Sequence, residues 1–311
     1  MKKINLSSIP IIIAILLSLF GLFIIFDLSR FNSLTLSLGI LNTCTIDKYS
    51  SIIGGIVGPI FSLAGVLLIY ATIMYQKKSF QVQQFENKFF ELIKYHRENV
   101  SNMEYLLPDN DEKTTVIGHK AIVEMCNQLE NLYDAVVKLF NKIPGLSDNS
   151  EFLRNRIAIT YLMFFYGVSE ENKGIVKSFF PEIEQEVFNQ LWRHIREKKT
   201  NYDSNIVYFG GHQHRLGHYY RHFYQTVKFV DNAPFLNKTQ KYDYVKTLRV
   251  QLNTYEQTLF LFNSLSPLGK NWRKNGYVNR YQLIKNLPQS VFQNIKPKSL
   301  YPKIDFEWES E

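Results

Sequence analysis

The sequence predicts an all-α fold, led by two bilayer-length helices and continued by a helical domain. Three observations carry that expectation. Two apolar runs near the N-terminus, Ile9 to Phe26 and Ile52 to Tyr75, are each long enough to cross a hydrocarbon core. From Gln76 onward, apolar residues return at three- and four-residue steps, the period of a helix with one buried side. Nowhere does a convincing run of alternating apolar and polar residues signal a strand.

Met1-Lys-Lys precedes the first run, which only Ser18 and Gly21 interrupt. A cleaved signal peptide also begins with lysines, but its apolar part is only about 7–15 residues long. No small-x-small cleavage site follows before Asp27, so a retained anchor is expected. The second run contains no charged residue, and its glycines and Pro59 are tolerated in transmembrane helices. Gly54, Gly58 and Ser62 form a row of small residues that lets two helices approach closely, within the hairpin or between two copies of the chain. Lys2 and Lys3 flank the first run and Lys77 and Lys78 follow the second, whereas the connecting loop balances Arg30 and Lys48 against Asp27 and Asp47. That bias predicts both termini on the cytoplasmic side of a bacterial inner membrane.

The expected organisation is a hairpin anchor over 1–78 (spans about 9–28 and 52–75), a cytosolic helical domain over 79–266, and a loosely structured segment over 267–311. After the second span the period continues through Val82, Phe85, Phe89, Leu92, His96 and Val100, so one helix is expected to run on. His96 falls on the apolar stripe and is read as a semi-buried, hydrogen-bonded histidine. Pro108 and Asp109 to Lys113 end that helix. Helices are expected over Ile122 to Phe140 and, as a core element, over Glu151 to Tyr166, which Gly167 closes. Ser169 with Glu170 and Glu171 has the character of an N-cap and acidic first turn. A further helix reaches about Lys198, and Thr239 to Leu265 reads as one long helix. Pro267, Gly269 and three later prolines loosen the tail.

The composition, 45% hydrophobic and 15% aromatic over 311 residues, suffices for a sizeable core. The formal charge of +8 favours anionic partners, although lysines near the spans also serve membrane orientation. Cys44 and Cys126, far apart in the chain, exclude a disulfide framework or a cysteine zinc site and are expected as reduced thiols.

Chemistry is concentrated between Tyr208 and Asp231, YFGGHQHRLGHYYRHFYQTVKFVD, which holds four of the seven histidines. Gly210 and Gly211 read as a turn feeding a helix. On that helix Leu216, Tyr220, Phe223, Val227 and Val230 share one side, and His214, His218, Arg221, His222 and Gln225 the other, with Arg215 at its edge. Such a front is compatible with a solvated or hydrogen-bonded structural surface. It also fits a metal-independent ribonuclease, with His222 and His218 as acid–base groups and Arg215 stabilising phosphorane charge. Arg215 and His222, separated by six residues, resemble the Arg-x4-6-His signature of the HEPN nucleases, which are helical and act as dimers. His214, His218 and His222 stand at metal-ligand spacing, but no carboxylate lies between them, and no metal or other cofactor is expected. Simple anion or nucleotide binding is a fourth reading, with His212, His214, Tyr219, Arg221 and Tyr224 as ligand contacts. Nine Lys/Arg against three Asp between Lys198 and Arg249 favour a phosphate-bearing ligand such as RNA.

Two segments resemble a bacterial family of AbiC-like, membrane-type phage abortive-infection proteins. One is GGIVGPIFSLAGVLLIY with FENKFFELIKYHRENV; the other is GGHQHRLGHYYRHFYQTVKFV. The resemblance runs from about Ile52 to Leu265 and includes His96, Gly211, His212, Leu216, Gly217, His218, Tyr219, Arg221 and Tyr224. It implies a two-span anchor, a cytosolic helical domain and a role in stopping phage multiplication. It implies no particular reaction, so a non-enzymatic effector that binds a phage component or perturbs the membrane stands beside the nuclease.

Overall fold

A computed structural model of the chain describes residues 9–30, 47, 50–106, 115–141, 150–200, 211–292 and 295–309. These fall into two compact units, Met1–Lys88 and Phe89–Glu311. The described residues are almost wholly helical.

In the first unit, α1 (Ile9–Arg30) lies against a π-helical turn, Ile53–Val57, and the helix that follows it, α2 (Gly58–Ser101). The buried positions are small or heptad-spaced: Ala14 and Gly21 on α1, and Val57, Ala64 and Ala71 opposite. A Cβ at Gly21 would stand 3.0 Å from the Phe61 ring. This is how apolar helices pack when no hydrophobic difference from their surroundings drives them together. The contact does not use Gly54 and Gly58. Among the described residues a Cβ at Gly54 would meet nothing within 4 Å, and one at Gly58 only the Ile53 carbonyl at 3.6 Å. Two helices, over Ile9–Asp27 and Ser50–Ser101, are long and apolar enough to cross a membrane, with window hydropathies of 3.0 and 2.4.

The unit boundary falls inside α2. The second unit takes in Phe89–Ser101, then a short antiparallel ribbon of β1 (Glu104–Leu106) and β2 (Thr115–Ile117). This ribbon, too short to show a two-residue period, was not expected. There follow α3 (His119–Phe140), α4 (Ser150–Tyr166), α5 (Glu170–Ser178), α6 (Gln185–Thr200), α7 (Gln213–Asp231), α8 (Lys238–Arg249), α9 (Thr254–Leu265), α10 (Lys270–Lys274), α11 (Tyr277–Arg280) and α12 (Pro297–Leu300). The expected cap holds: Ser169 Oγ accepts from the Asn172 amide at 3.4 Å. Residues 107–114, 142–149 and 201–210, the last including Gly210, lie outside the described residues, as does Cys44. Cys126 is a free, buried thiol.

The central element is α9, on which every residue from Glu256 to Leu265 is buried. A helix apolar or satisfied on all sides belongs in the middle of a bundle. α3, α4 and α10 pack around it. The expected single helix from Thr239 to Leu265 is broken at Val250–Asn253. Asn253 Oδ1 accepts from the Glu256 amide at 2.8 Å while Glu256 Oε2 accepts from the Asn253 amide at 3.0 Å. This capping box starts a new helix more favourably than it allows the old one to continue.

The tail, expected to be loose, is packed. Trp272, Tyr277, Val278, Tyr281, Leu283, Ile284, Leu300, Ile304 and Phe306 are all buried. Its prolines and glycines shape turns between short helices. At Gly269 a Cβ would lie 2.1 Å from the Asn263 carbonyl oxygen, so α10 can approach α9 only without a side chain there.

Candidate functional site

Helix α7 begins where the chain touches the end of α4. Gly211 has φ +92°, and a Cβ there would stand 2.5 Å from the Tyr166 carbonyl oxygen. Only glycine fits that approach. The next amide, of His212, donates to the Phe165 carbonyl at 2.9 Å. The predicted apolar side is buried throughout: Leu216, Tyr220, Phe223, Val227 and Val230. Phe223 meets Phe260 of α9 edge-on at 5.2 Å between ring centres.

Two residues expected to touch a ligand have their polar ends indoors. His212, 3% exposed, pairs Nε2 with Gln128 Oε1 and lies 4.4 Å from the Phe164 ring centre, tilted by 36°. Burial, then Arg215 and His214, push it down to about 3, so it is neutral. Tyr219, at about 100° per residue, falls about 40° beyond Phe223, at the edge of the inner side. Its hydroxyl donates to Glu256 Oε1 at 2.9 Å.

The rest of the cationic front divides over two flanks. On one, His214, Arg215 and His218 line a cleft of about 370 Å³ with Asn99 and Asn102 of the preceding segment and Glu104 of β1. Arg215 Nε donates to the Glu104 carbonyl at 2.5 Å, and its guanidinium lies 5.9 Å from the Tyr105 ring centre. Asn99 Nδ2 is buried without a hydrogen-bond partner among the described residues. Burial and Arg215 lower the pKa of His214.

Beside this cleft lies a histidine pair. His222 is half-buried, and its ring stacks on that of His96 with 6.3 Å between centres and 19° between planes. His96 is 1% exposed. None of the four ring nitrogens has a partner among the described residues. His96 is thus deeper and less satisfied than expected. Burial, then His222, push its pKa down to about 4; burial, then His218, lower that of His222. Both rings are neutral at neutral pH.

On the other flank, Gly217, Arg221, Tyr224 and Gln225 line a second cleft with Asn271 and Trp272 of α10. His214 and Arg221 both line a third opening at the helix N-terminus, beside Gly211. Arg215 and His222 therefore share a flank, as their spacing implied, but Arg221 and Tyr224 face elsewhere. Asn99, Asn102 and Trp272 were not anticipated. Asn99, one helical turn beyond His96, carried a signal; Trp272 sat in a stretch read as loose. Among the described residues no group of three or more His, Cys, Asp or Glu is placed to hold a metal ion.

The same helix opens the stretch that relates the chain to known proteins. Residues 211–292 match the family model described as "Putative phage abortive infection protein". The match begins at Gly211, takes in all of α7 to α11, and supports the resemblance carried by Gly211, Leu216, Gly217, His218 and Arg221. It extends beyond Pro267, where the resemblance had been placed at an end, and does not include the second apolar run. No curated protein and no solved structure matches the chain. The abortive-infection likeness points to anti-phage defence.

Proposed function

We propose that the chain is a membrane-anchored anti-phage effector whose Phe89–Glu311 unit binds and cleaves RNA at the cleft lined by Arg215 and His218. The observation that carries this reading is the convergence on one flank of α7 of a guanidinium, two cleft-lining imidazoles, the exposed amide of Asn102 and the neutral His222. Arg215 would hold a phosphodiester, with the exposed amide of Asn102 beside it on the cleft wall. His222 stands beside the cleft with both ring nitrogens buried, so its ring would turn toward the cleft to accept the 2′-hydroxyl proton as that oxygen attacks phosphorus. His218 would hand a proton to the departing 5′-oxygen, leaving a 2′,3′-cyclic phosphate and a free 5′-hydroxyl. The nearby N-terminus of α7 adds a favourable field for anions. Anchoring in the inner membrane with both termini cytoplasmic is supported by the two long apolar helices and the flanking lysines. A homodimer through the open Gly54–Gly58 face is part of the same reading.

The test is RNA integrity and plaque formation in infected cells carrying wild-type protein, Arg215→Ala, His218→Ala or His222→Ala. Loss of RNA cleavage and of phage restriction in all three variants is expected, with purified protein slowed at least about a hundredfold. Restriction that survives all three changes removes the nuclease. Restriction lost instead on enlarging Gly54 and Gly58, with the histidine variants active, identifies a membrane-acting effector.

A further inference from the structure

The second cleft, on the opposite flank of α7, has a different chemistry and no role in the cleavage just described. It measures about 380 Å³, within the range of about 300–1,000 Å³ typical of small-molecule sites. Its floor is aromatic: Phe165, Tyr220 and Trp272. Its rim carries three primary amides, Gln213, Gln225 and Asn271, each offering both a donor and an acceptor. Among the described residues its single cation is Arg221, and no carboxylate lines it.

We propose that this cleft binds a nucleoside phosphate, base against the aromatic floor and phosphate on Arg221. Paired donor and acceptor groups above a π-surface are what a nucleobase edge and face require. Arg221 is fixed for the other half of the ligand. Its Nε donates to the Gly217 carbonyl one turn back at 2.9 Å, and its two terminal nitrogens have no partner among the described residues. The walls are preorganised. Trp272 is wedged against Phe260 at 4.9 Å and Phe223 at 5.2 Å, and the Tyr224 hydroxyl accepts from Asn275 Nδ2 at 2.7 Å.

Gly217 has its explanation here. Glycine inside a helix is unfavourable relative to alanine. A Cβ at this position would meet only Phe165 Cζ at 3.7 Å and Arg221 Nη2 at 3.9 Å, so no backbone contact demands glycine. What its missing side chain preserves is the open space of the cleft.

The ligand chemistry has two sources, a free nucleotide or one nucleotide of an RNA strand. Full-length protein in detergent micelles is titrated calorimetrically with AMP, GMP, UMP, adenosine and inorganic phosphate, and by anisotropy with a fluorescein-labelled 12-nucleotide RNA. At least one nucleotide or the RNA is expected to bind at least tenfold more tightly than phosphate. Gly217→Leu, which fills the cleft with a better helix former, is expected to weaken that binding at least tenfold with a melting temperature no lower than that of the wild type. Arg221→Gln should weaken the phosphate-bearing ligand about tenfold and leave adenosine unaffected. RNA binding displaced by mononucleotides assigns the site to a strand; mononucleotide binding alone assigns it to a free nucleotide. No binding by any probe, or binding equal in Gly217→Leu, overturns the proposal. Nucleotide binding that persists while RNA cleavage fails removes the cleavage reading and leaves this one standing.

Discussion

Replacing His96 by leucine changes little volume but removes a buried imidazole whose two nitrogens have no partner among the described residues. In the folded chain its pKa falls from 6.5 to about 4, chiefly through burial and then through His222. At about 1.4 kcal/mol per pH unit, that depression is worth roughly 3 kcal/mol. The sign follows from proton uptake. Between pH 6.5 and 4 the unfolded chain binds a proton at this position that the folded chain refuses, so wild-type stability falls as the pH falls through that window. By pH 4.5 the loss due to His96 should reach roughly 2–3 kcal/mol. Leucine has no such window. At pH 7 it also abolishes the desolvation of unpaired nitrogens, for an expected gain of roughly 1 kcal/mol. Urea unfolding of full-length protein in micelles between pH 7 and 4.5 measures both effects. Tryptophan fluorescence suits it, because Trp192, Trp272 and Trp308 all belong to the Phe89–Glu311 unit. His212, also driven down by burial, titrates equally in both proteins, so the difference between them reports His96 together with its effect on the stacked His222. A difference constant across the pH range, or a leucine variant less stable by more than about 2 kcal/mol at pH 7, would refute this reasoning.

Tyr219→Phe removes the donor to a carboxylate that is 1% exposed, and should cost about 1.5–3 kcal/mol in the same unfolding assay. Burial raises the pKa of Glu256, so its contribution to stability declines as the pH rises above the ordinary carboxylate range. The Tyr219 hydrogen bond opposes that rise, and the variant's deficit should therefore be larger at pH 8 than at pH 5. Gly269→Ala places a methyl 2.1 Å from a backbone oxygen and 2.7 Å from the Ser264 Cα. Because backbone must move, a loss of about 3 kcal/mol or more is expected, read as a lowered melting temperature.

Much of the architecture was legible along the chain because helical periodicity is a local property. The apolar runs, the stripe ending at Val100, the cap at Ser169 and the inner side of α7 each depend on residues within a few turns. The break in Thr239–Leu265 was also written locally, as Asn253 followed three residues later by Glu256, but the unbroken apolar period masked it. The tail misled for a different reason. Its prolines and glycines mark local turns, whereas Trp272 and Tyr277 are ordered by Phe223 and Tyr224, far back in the sequence.

The residues of α7 alone determined that a cationic, imidazole-rich helix with an apolar back would exist, since 3.6 residues per turn suffices to sort its side chains. Which of those side chains act together depended on tertiary contacts. His96 came to rest against His222, Asn99 against the cleft of Arg215, and Trp272 below Arg221, from stretches some fifty to more than a hundred residues away. A helix has one surface in sequence, but its neighbours cut that surface into separate clefts, because packing leaves open only the space they do not fill.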